Sequence, residues 1–265
     1  MKQQQYAPSS AEEERFLREY NPSKYPKAGF AVDVNLFAYD EEAGKLWVLL
    51  IERGGYPYKG CYAFPGGFMD MDETAEQAAA RELEEETGLT GLSLEEHRLM
   101  ADVHRDPRDR VLTAEYLALA RREELRAQAG DDAARAEWFA LEGFSAERTE
   151  ADGLRETVYR ASLRGPEAID VVCRERVCYG QYLQREFCCE EQGSLAFDHG
   201  EALVRSILAL QDRLLHTELA YNIWRGEFGL EELRRLYHAA FLERFDYVKI
   251  PNLRRLANGR FTFRP

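Results

Sequence analysis

Four glutamates within five residues, Glu82, Glu84, Glu85 and Glu86, close a helix-like stretch that begins after Thr74 and stops at Gly88. Thr74 and Gln77 have capping-box spacing and Gly88 supplies the stop, so the pattern predicts a helix at about 75–87. On such a helix Glu82, Glu85 and Glu86 stand at i, i+3 and i+4, which places three carboxylates on one face. Like charges crowded into the last turns oppose one another and the helix dipole. A solvated acidic face is the ordinary meaning of a Glu-rich run. Here the crowding would be eased by Arg81 and a bound cation, and hard oxygen donors of this kind suit magnesium or manganese.

Around this helix the pattern is strand-like. FAVDVNLFAY and LWVLLIER read as a hairpin across Asp40-Glu41-Glu42-Ala43-Gly44. CYAFPGGF leads into the helix, and HRLMADVHRD, RVLTAEYLALA and AEWFAL supply further strands, the first two joined through Asp106-Pro107-Arg108-Asp109. Upstream, residues 1–9 are expected to be disordered, and Ser10 would cap a short amphipathic helix, AEEERFLREY, with a packing role. Downstream, 145–194 reads as an inserted antiparallel hairpin or small sheet. LAFDHGEALVRSILALQDRLL then has helical spacing at Leu203, Ile207, Leu210 and Leu214, with Asp198 as its cap. The implied divisions are 1–24, 25–195 and 196–265.

At 45% hydrophobic residues the 265-residue chain has enough apolar mass for a sizeable core. Its net charge of -13 argues against nucleic-acid binding through bulk electrostatics. The segment 217–265 departs from the rest, with nine basic residues against six acidic ones. No apolar run reaches the roughly 18 residues of a membrane span, and MKQQQYAPSS lacks a signal-peptide core, so a cytoplasmic protein is expected. Five cysteines without a CxxC pair fit reduced, buried thiols, with a zinc site at Cys173 and Cys178 as the alternative.

Read from Gly67, the order is five residues, Glu73, seven residues, then Arg81-Glu82-Leu83-Glu84-Glu85-Glu86-Thr87-Gly88-Leu89. This is similar at every defined position to the Nudix box, Gly-x5-Glu-x7-Arg-Glu-U-x-Glu-Glu-x-Gly-U, with U aliphatic. The resemblance implies an α/β fold, an α/β/α sandwich on a mixed sheet, that hydrolyses the diphosphate linkage of a nucleoside diphosphate derivative, ADP-ribose foremost. It implies metal ligation by Glu82, Glu85, Glu86 and the Gly67 carbonyl, with Arg81 orienting the glutamates and Glu73 supporting the loop. Gly66 and Gly67 would bring backbone close to the ion. Arg53, Arg105 and Arg108 are candidate phosphate binders, and equally readable as fold-stabilising arginines. The general base stays open between a box glutamate and Glu147 or Glu150 of a 145–152 loop. Tyr56, Tyr58, Tyr62, Phe64 and Phe68 surround the same loop, where one could stack on a base and the rest would be core.

Beyond the box, RDPR, GDDAARAEWFAL, LAFDH, FGLEELRRLYHAAF and NLRRLANG resemble Nudix proteins with a small C-terminal winged-helix domain, including NrtR-like, ADP-ribose-responsive repressors of NAD metabolism. That resemblance implies a homodimer and a third helix near Pro251–Asn258 whose Arg254 and Arg255 face DNA. The box is complete, where such regulators often lose parts of it, and NGRFTFRP leaves at most one wing strand. An enzyme is therefore the reading, an ADP-ribose-sensing DNA-binding regulator its alternative, and a dimerisation or packing role for the tail compatible with either.

Overall fold

The computed structural model describes residues 6–126, 133–242, 250 and 252–263. Helix α1 (Ala11–Glu19) is capped by the Ser10 side chain, which accepts from the Glu13 amide. The packing role expected of it is not seen among the described residues, where none of the helix's residues is buried and Phe16 and Leu17 stay exposed. Of the segment expected to be disordered, residues 1–5 lie outside the described ones, whereas Tyr6 and Ser9 both engage Glu13.

The expected hairpin forms from β1 (Gly29–Asp40) and β2 (Lys45–Arg53), its turn closed by Gly44 donating to the Asp40 carbonyl. Short strands β3 (Tyr62–Ala63) and β4 (Gly66–Phe68) lead into α2 (Ala75–Thr87). There follow β5 (Glu95–Met100), β6 (Val111–Arg121), β7 (Ala133–Ala151), β8 (Leu154–Arg164), β9 (Ala168–Tyr179) and β10 (Leu183–Glu191). The sheet runs β10-β9-β8-β7-β2-β1-β6-β5, with β3 beside β2 and β4 beside β1. Only the β1–β6 pair is parallel among the described strands, so the sheet is mixed.

The 145–194 segment is not a separate sheet. It carries the central sheet outward, because β7 runs on to Ala151 and turns into β8 through Asp152-Gly153, both at positive φ. Two residues at positive φ are the tight connection that antiparallel strands favour. Cys173 and Cys178, five residues apart on β9, fall on opposite faces and share no site. Cys173 is buried, but Cys178 and Cys188 are exposed, contrary to the expectation of buried thiols.

Helix α2 covers one face with Ala78, Ala79 and Leu83 against Val32, Val34 and Ala118. Helix α3 (His199–His216) covers the other, with Leu203, Ile207, Leu210 and Leu214 fully buried at the spacing expected of them. Helix α4 (Leu230–Phe241) joins α3, and one apolar cluster extends from Val48 and Leu50 through both helices to Phe261 and Phe263. The core therefore continues across 195/196 without a break. Arg254 and Arg255 form β11 (Arg254–Arg255), paired with β12 (Phe261–Thr262), and not a helix. Asn258-Gly259 turns the chain between them, with Gly259 at φ 81. Pro251 lies outside the described residues. No helix among those described is long and apolar enough to cross a membrane.

Candidate active site

The loop between β3 and α2 is pressed onto β1. Val32 pairs with Gly67 and Asp33 with Gly66, and the Val34 amide donates to the Pro65 carbonyl at 2.8 Å. There is no room for a side chain here. A Cβ on Gly66 would stand 2.1 Å from the Val32 carbonyl, and one on Gly67 would stand 2.5 Å from a Glu82 oxygen. Gly66 is required by its close approach to backbone and not by positive φ, whereas at Gly67 a side chain would have to displace the Glu82 carboxylate.

Helix α2 is fixed at both ends. Thr74 and Gln77 form the reciprocal capping box, and Gly88, at φ 71, donates to the Glu84 carbonyl. Its last turns then present Glu82 and Glu86 to the glycine loop, where Glu86 accepts from the Gly66 amide at 2.8 Å. Arg81 is the hub of the acidic cluster. Its guanidinium holds Glu73 through two nitrogens (2.6 and 3.1 Å), Glu82 at 2.7 Å, Glu85 at 3.0 Å and the Phe68 carbonyl at 3.0 Å. Glu73 also accepts from the Asp70 amide, which ties the loop to the hub.

One arginine does not neutralise this group. Burial pushes Glu86 up to about 8, and Glu82 and Asp33 add to the shift by repulsion. Glu82 is raised by burial against the pull of Arg81. Asp33, buried on β1, is pushed up to about 7 by burial although Arg105 opposes it. Acids that resist ionisation in a cleft, beside backbone with no Cβ in the way, fit a site completed by a cation. Among the described residues, no three such side chains already converge as a metal cluster. Arg81 accounts for that, because it draws Glu82 and Glu85 to itself.

Facing the acids, Asp33, Arg53, Gly66, Gly67, Phe68, Arg105, Arg108, Phe197 and His199 line one cleft of about 50 Å³. This is well below the roughly 300–1,000 Å³ of pockets that engulf a ligand. The three arginines expected to bind phosphate part company. Arg105 is buried, holds Asp198 through two nitrogens at 2.7 and 2.8 Å, and bonds Thr113. It is a structural clamp, and Asp198 is no cap, since its carboxylate goes to Arg105 and makes no bond to the helix end. Arg108 pairs with Asp106 but remains half exposed between Phe68 and Phe197. Arg53 donates to the Pro57 carbonyl at 3.0 Å and lies over Phe197.

Of the aromatic candidates, Phe68 is half exposed at the cleft and Tyr58 packs on Phe197, while Tyr56 faces solvent. Tyr62 and Phe64 are core, against Phe139 and His199. Glu147 and Glu150 lie in β7, not in a loop. Ala136 of that strand pairs with Ile51 near the cleft, so Glu147 is about 35 Å further along. Sequence reasoning missed Asp33, Phe197 and His199 as site residues. A charged residue inside the otherwise apolar FAVDVNLFAY was a signal for the first. His199 accepts from the Phe64 amide through Nδ1 at 2.9 Å and stands 3.6 Å from Asp33, a contact across 166 positions that no local pattern reveals.

The NUDIX domain family model matches residues 29–161. The chain is 29% identical over 227 residues to an ADPR-responsive transcriptional repressor, NtrR, of Acinetobacter baylyi, covering 85% of this chain and 71% of that one. It is 43% identical over 94 residues to an ADP-ribose pyrophosphatase of Methanocaldococcus jannaschii, covering 36% of this chain and 54% of the relative. Among solved structures it is similar to a MutT/nudix family protein from Enterococcus faecalis, with a TM-score of 0.68 at 27% identity over 88% of this chain and 82% of that one.

Proposed function

Because the chain belongs to the Nudix family, we propose that it is a metal-dependent hydrolase of the diphosphate linkage in a nucleoside diphosphate derivative, with ADP-ribose the first substrate to test. The observation that carries this reading is the cluster of Glu82 and Glu86 against Gly66-Gly67, acids whose ionisation burial opposes and beside which stands one arginine. Glu82, Glu85, Glu86 and the Gly67 carbonyl would hold magnesium or manganese, which supplies Lewis acidity toward the diphosphate and its attacking water. Arg81 fixes Glu82 and Glu85 in place. Gly66 and Gly67 let the substrate's phosphates come against backbone, and Arg53 and Arg108 present positive charge from the opposite wall. A homodimer and a cytoplasmic setting belong to the same proposal. The pyrophosphatase relative supports the substrate choice.

The test is incubation with magnesium and a panel of diphosphate compounds, ADP-ribose included. Turnover is expected, and Glu85→Gln and Glu86→Gln should each lower kcat about 100-fold or more. Undiminished turnover in both variants would remove the metal assignment.

The similarity to a repressor over 85% of this chain favours a second reading, an ADP-ribose-sensing regulator that binds DNA through a winged-helix-like C-terminal domain. Against it, tail arginines are turned to intramolecular partners. Arg225 pairs with Glu124, Arg234 with Glu231, and Arg235 and Arg260 bond the carbonyls of Glu42 and Glu227. Arg254 and Arg255 sit on no groove-reading helix, but the two-stranded hairpin that carries them is the form of a wing, where at most one wing strand was expected. Binding to its own upstream DNA at two salt concentrations separates the readings. Salt-sensitive binding relieved by ADP-ribose, without turnover of any compound, would replace the enzyme by the regulator.

A further inference from the structure

Phe197 occupies a position that the proposed diphosphate chemistry leaves without a role. It lies 36 residues beyond the matched family segment, in the turn before α3, yet its half-buried ring lines the cleft. Its backbone is left-handed, with φ 50, a conformation that costs an aromatic residue energy and persists only where the surroundings impose it. They do so here. Ala196 donates to the Tyr62 carbonyl at 2.8 Å, His199 donates to the Ala196 carbonyl at 3.0 Å, and Gln192 Nε2 donates to the Phe197 carbonyl at 3.0 Å.

The ring held in this way collects two cations. Arg53 Cζ lies 4.8 Å from its centroid and Arg108 Cζ 5.7 Å, while Tyr58 at 4.7 Å and His199 at 5.8 Å brace it. The arginines come from different segments, the end of β2 and the loop before β6. Each has one anchor of its own, the Pro57 carbonyl for Arg53 and Asp106 for Arg108. Two guanidinium groups on one ring repel, and Arg108, after burial, is the next cause that makes Arg53 easier to deprotonate. Such a pair is relieved by an anion with two charged ends close together.

We propose that Phe197 is a positioning residue whose ring holds Arg53 and Arg108 side by side as a clamp for the diphosphate group, selecting paired phosphates over a single one. This rests on the hydrolase reading for its substrate class but not for its test. Wild-type protein is titrated calorimetrically with inorganic pyrophosphate and with orthophosphate, in chelator so that no ion bridges to the α2 carboxylates. Phe197→Leu, which keeps an apolar side chain without a π face, should weaken pyrophosphate binding about tenfold and orthophosphate binding about twofold. Phe197→Tyr should restore both to within about twofold of wild type. Arg108→Gln should cost pyrophosphate about tenfold alone and add little to Phe197→Leu, because both remove one arrangement. In turnover of ADP-ribose, Phe197→Leu should raise KM with kcat held within about threefold.

No pyrophosphate binding by the wild type, unchanged binding by Phe197→Leu, or a Tyr variant no better than Leu would each overturn the clamp. Pyrophosphate binding that follows this pattern, with no turnover of any diphosphate, would overturn the hydrolase reading and leave the clamp standing.

Discussion

Helices α2 and α3 set polar groups against the residues that line one cleft, under opposite electrical conditions. Helix α2 brings Glu82 and Glu86 from its last turns, where the dipole disfavours negative charge, and Arg81 alone answers Glu73, Glu82 and Glu85. Helix α3 brings Asp198 and His199 from its first residues, and each is met by a protein partner, Arg105 for one and the Phe64 amide for the other. The difference separates two uses of buried charge. On α3 the aspartate has an arginine to itself and the neutral histidine is locked to backbone, whereas on α2 one arginine is shared among three carboxylates.

The comparison breaks most visibly at Arg81. Arg81→Lys keeps the charge but offers three donors from one point, so it cannot span Glu73, Glu82, Glu85 and the Phe68 carbonyl. A fall in kcat of about 100-fold is expected from the misplaced carboxylates. Wild-type kcat in this variant would mean that α2 is no more committed to chemistry than α3. The complementary change, Asp198→Asn, leaves buried Arg105 with only the longer Asp33 contact at 3.9 Å for a counterion. It should lower stability by about 3 kcal/mol, read from the denaturant midpoint, with a smaller effect on kcat than at Arg81. A loss within about 0.5 kcal/mol would place Asp198 among surface residues and not among clamps.

The smallest effect concerns pH. Glu115 lies beside Asp33 on β6, fully buried, its carboxyl oxygens without a hydrogen-bond partner among the described residues, and burial pushes it up to about 8. The unfolded carboxyl ionises near 4.5, so between 4.5 and 8 the folded state binds more protons and stability falls as pH rises. His97 and His199, held down to about 4 by burial, act in the opposite direction, but only below 6.5, where the unfolded imidazoles titrate. From pH 6.5 to 8 the carboxyls act alone. Metal-free protein should lose about 1 to 2 kcal/mol across that window for such a group, and Glu115→Gln should remove its share. A flat stability profile in wild type would show that Glu115 is ionised throughout.

The sequence made α2 legible because every part of it is local. Thr74, Gln77 and Gly88 lie within about a turn of the groups they act on and Arg81 within thirteen residues of its own, and apolar strand-like runs exposed β1, β2, β5 and β6 in the same way. The cleft's other wall was hidden because it is assembled across the sheet. Arg105 and Asp198 meet over 93 positions, and neither announces whether it will face a ligand or its partner. Arg254 and Arg255 were misplaced for a related reason. Their neighbours suit a helix, but pairing with Phe261 and Thr262, which join the core or its edge, holds them extended. The β7–β8 turn lies at Asp152-Gly153, at the end of the stretch 145–152 that reads as a loop and is strand up to Ala151.

The outward growth of the sheet ends at β10, whose residues are largely exposed and which has no further strand beside it among those described. Such a strand is a template on which a second chain can crystallise its own backbone, copy upon copy. Along β10 that invitation is withdrawn by Arg185, Glu186, Glu190 and Glu191, which any incoming strand would have to desolvate. Resistance to edge-to-edge pairing along β10 thus rests on a few surface charges, and salt concentrated enough to screen them weakens that guard.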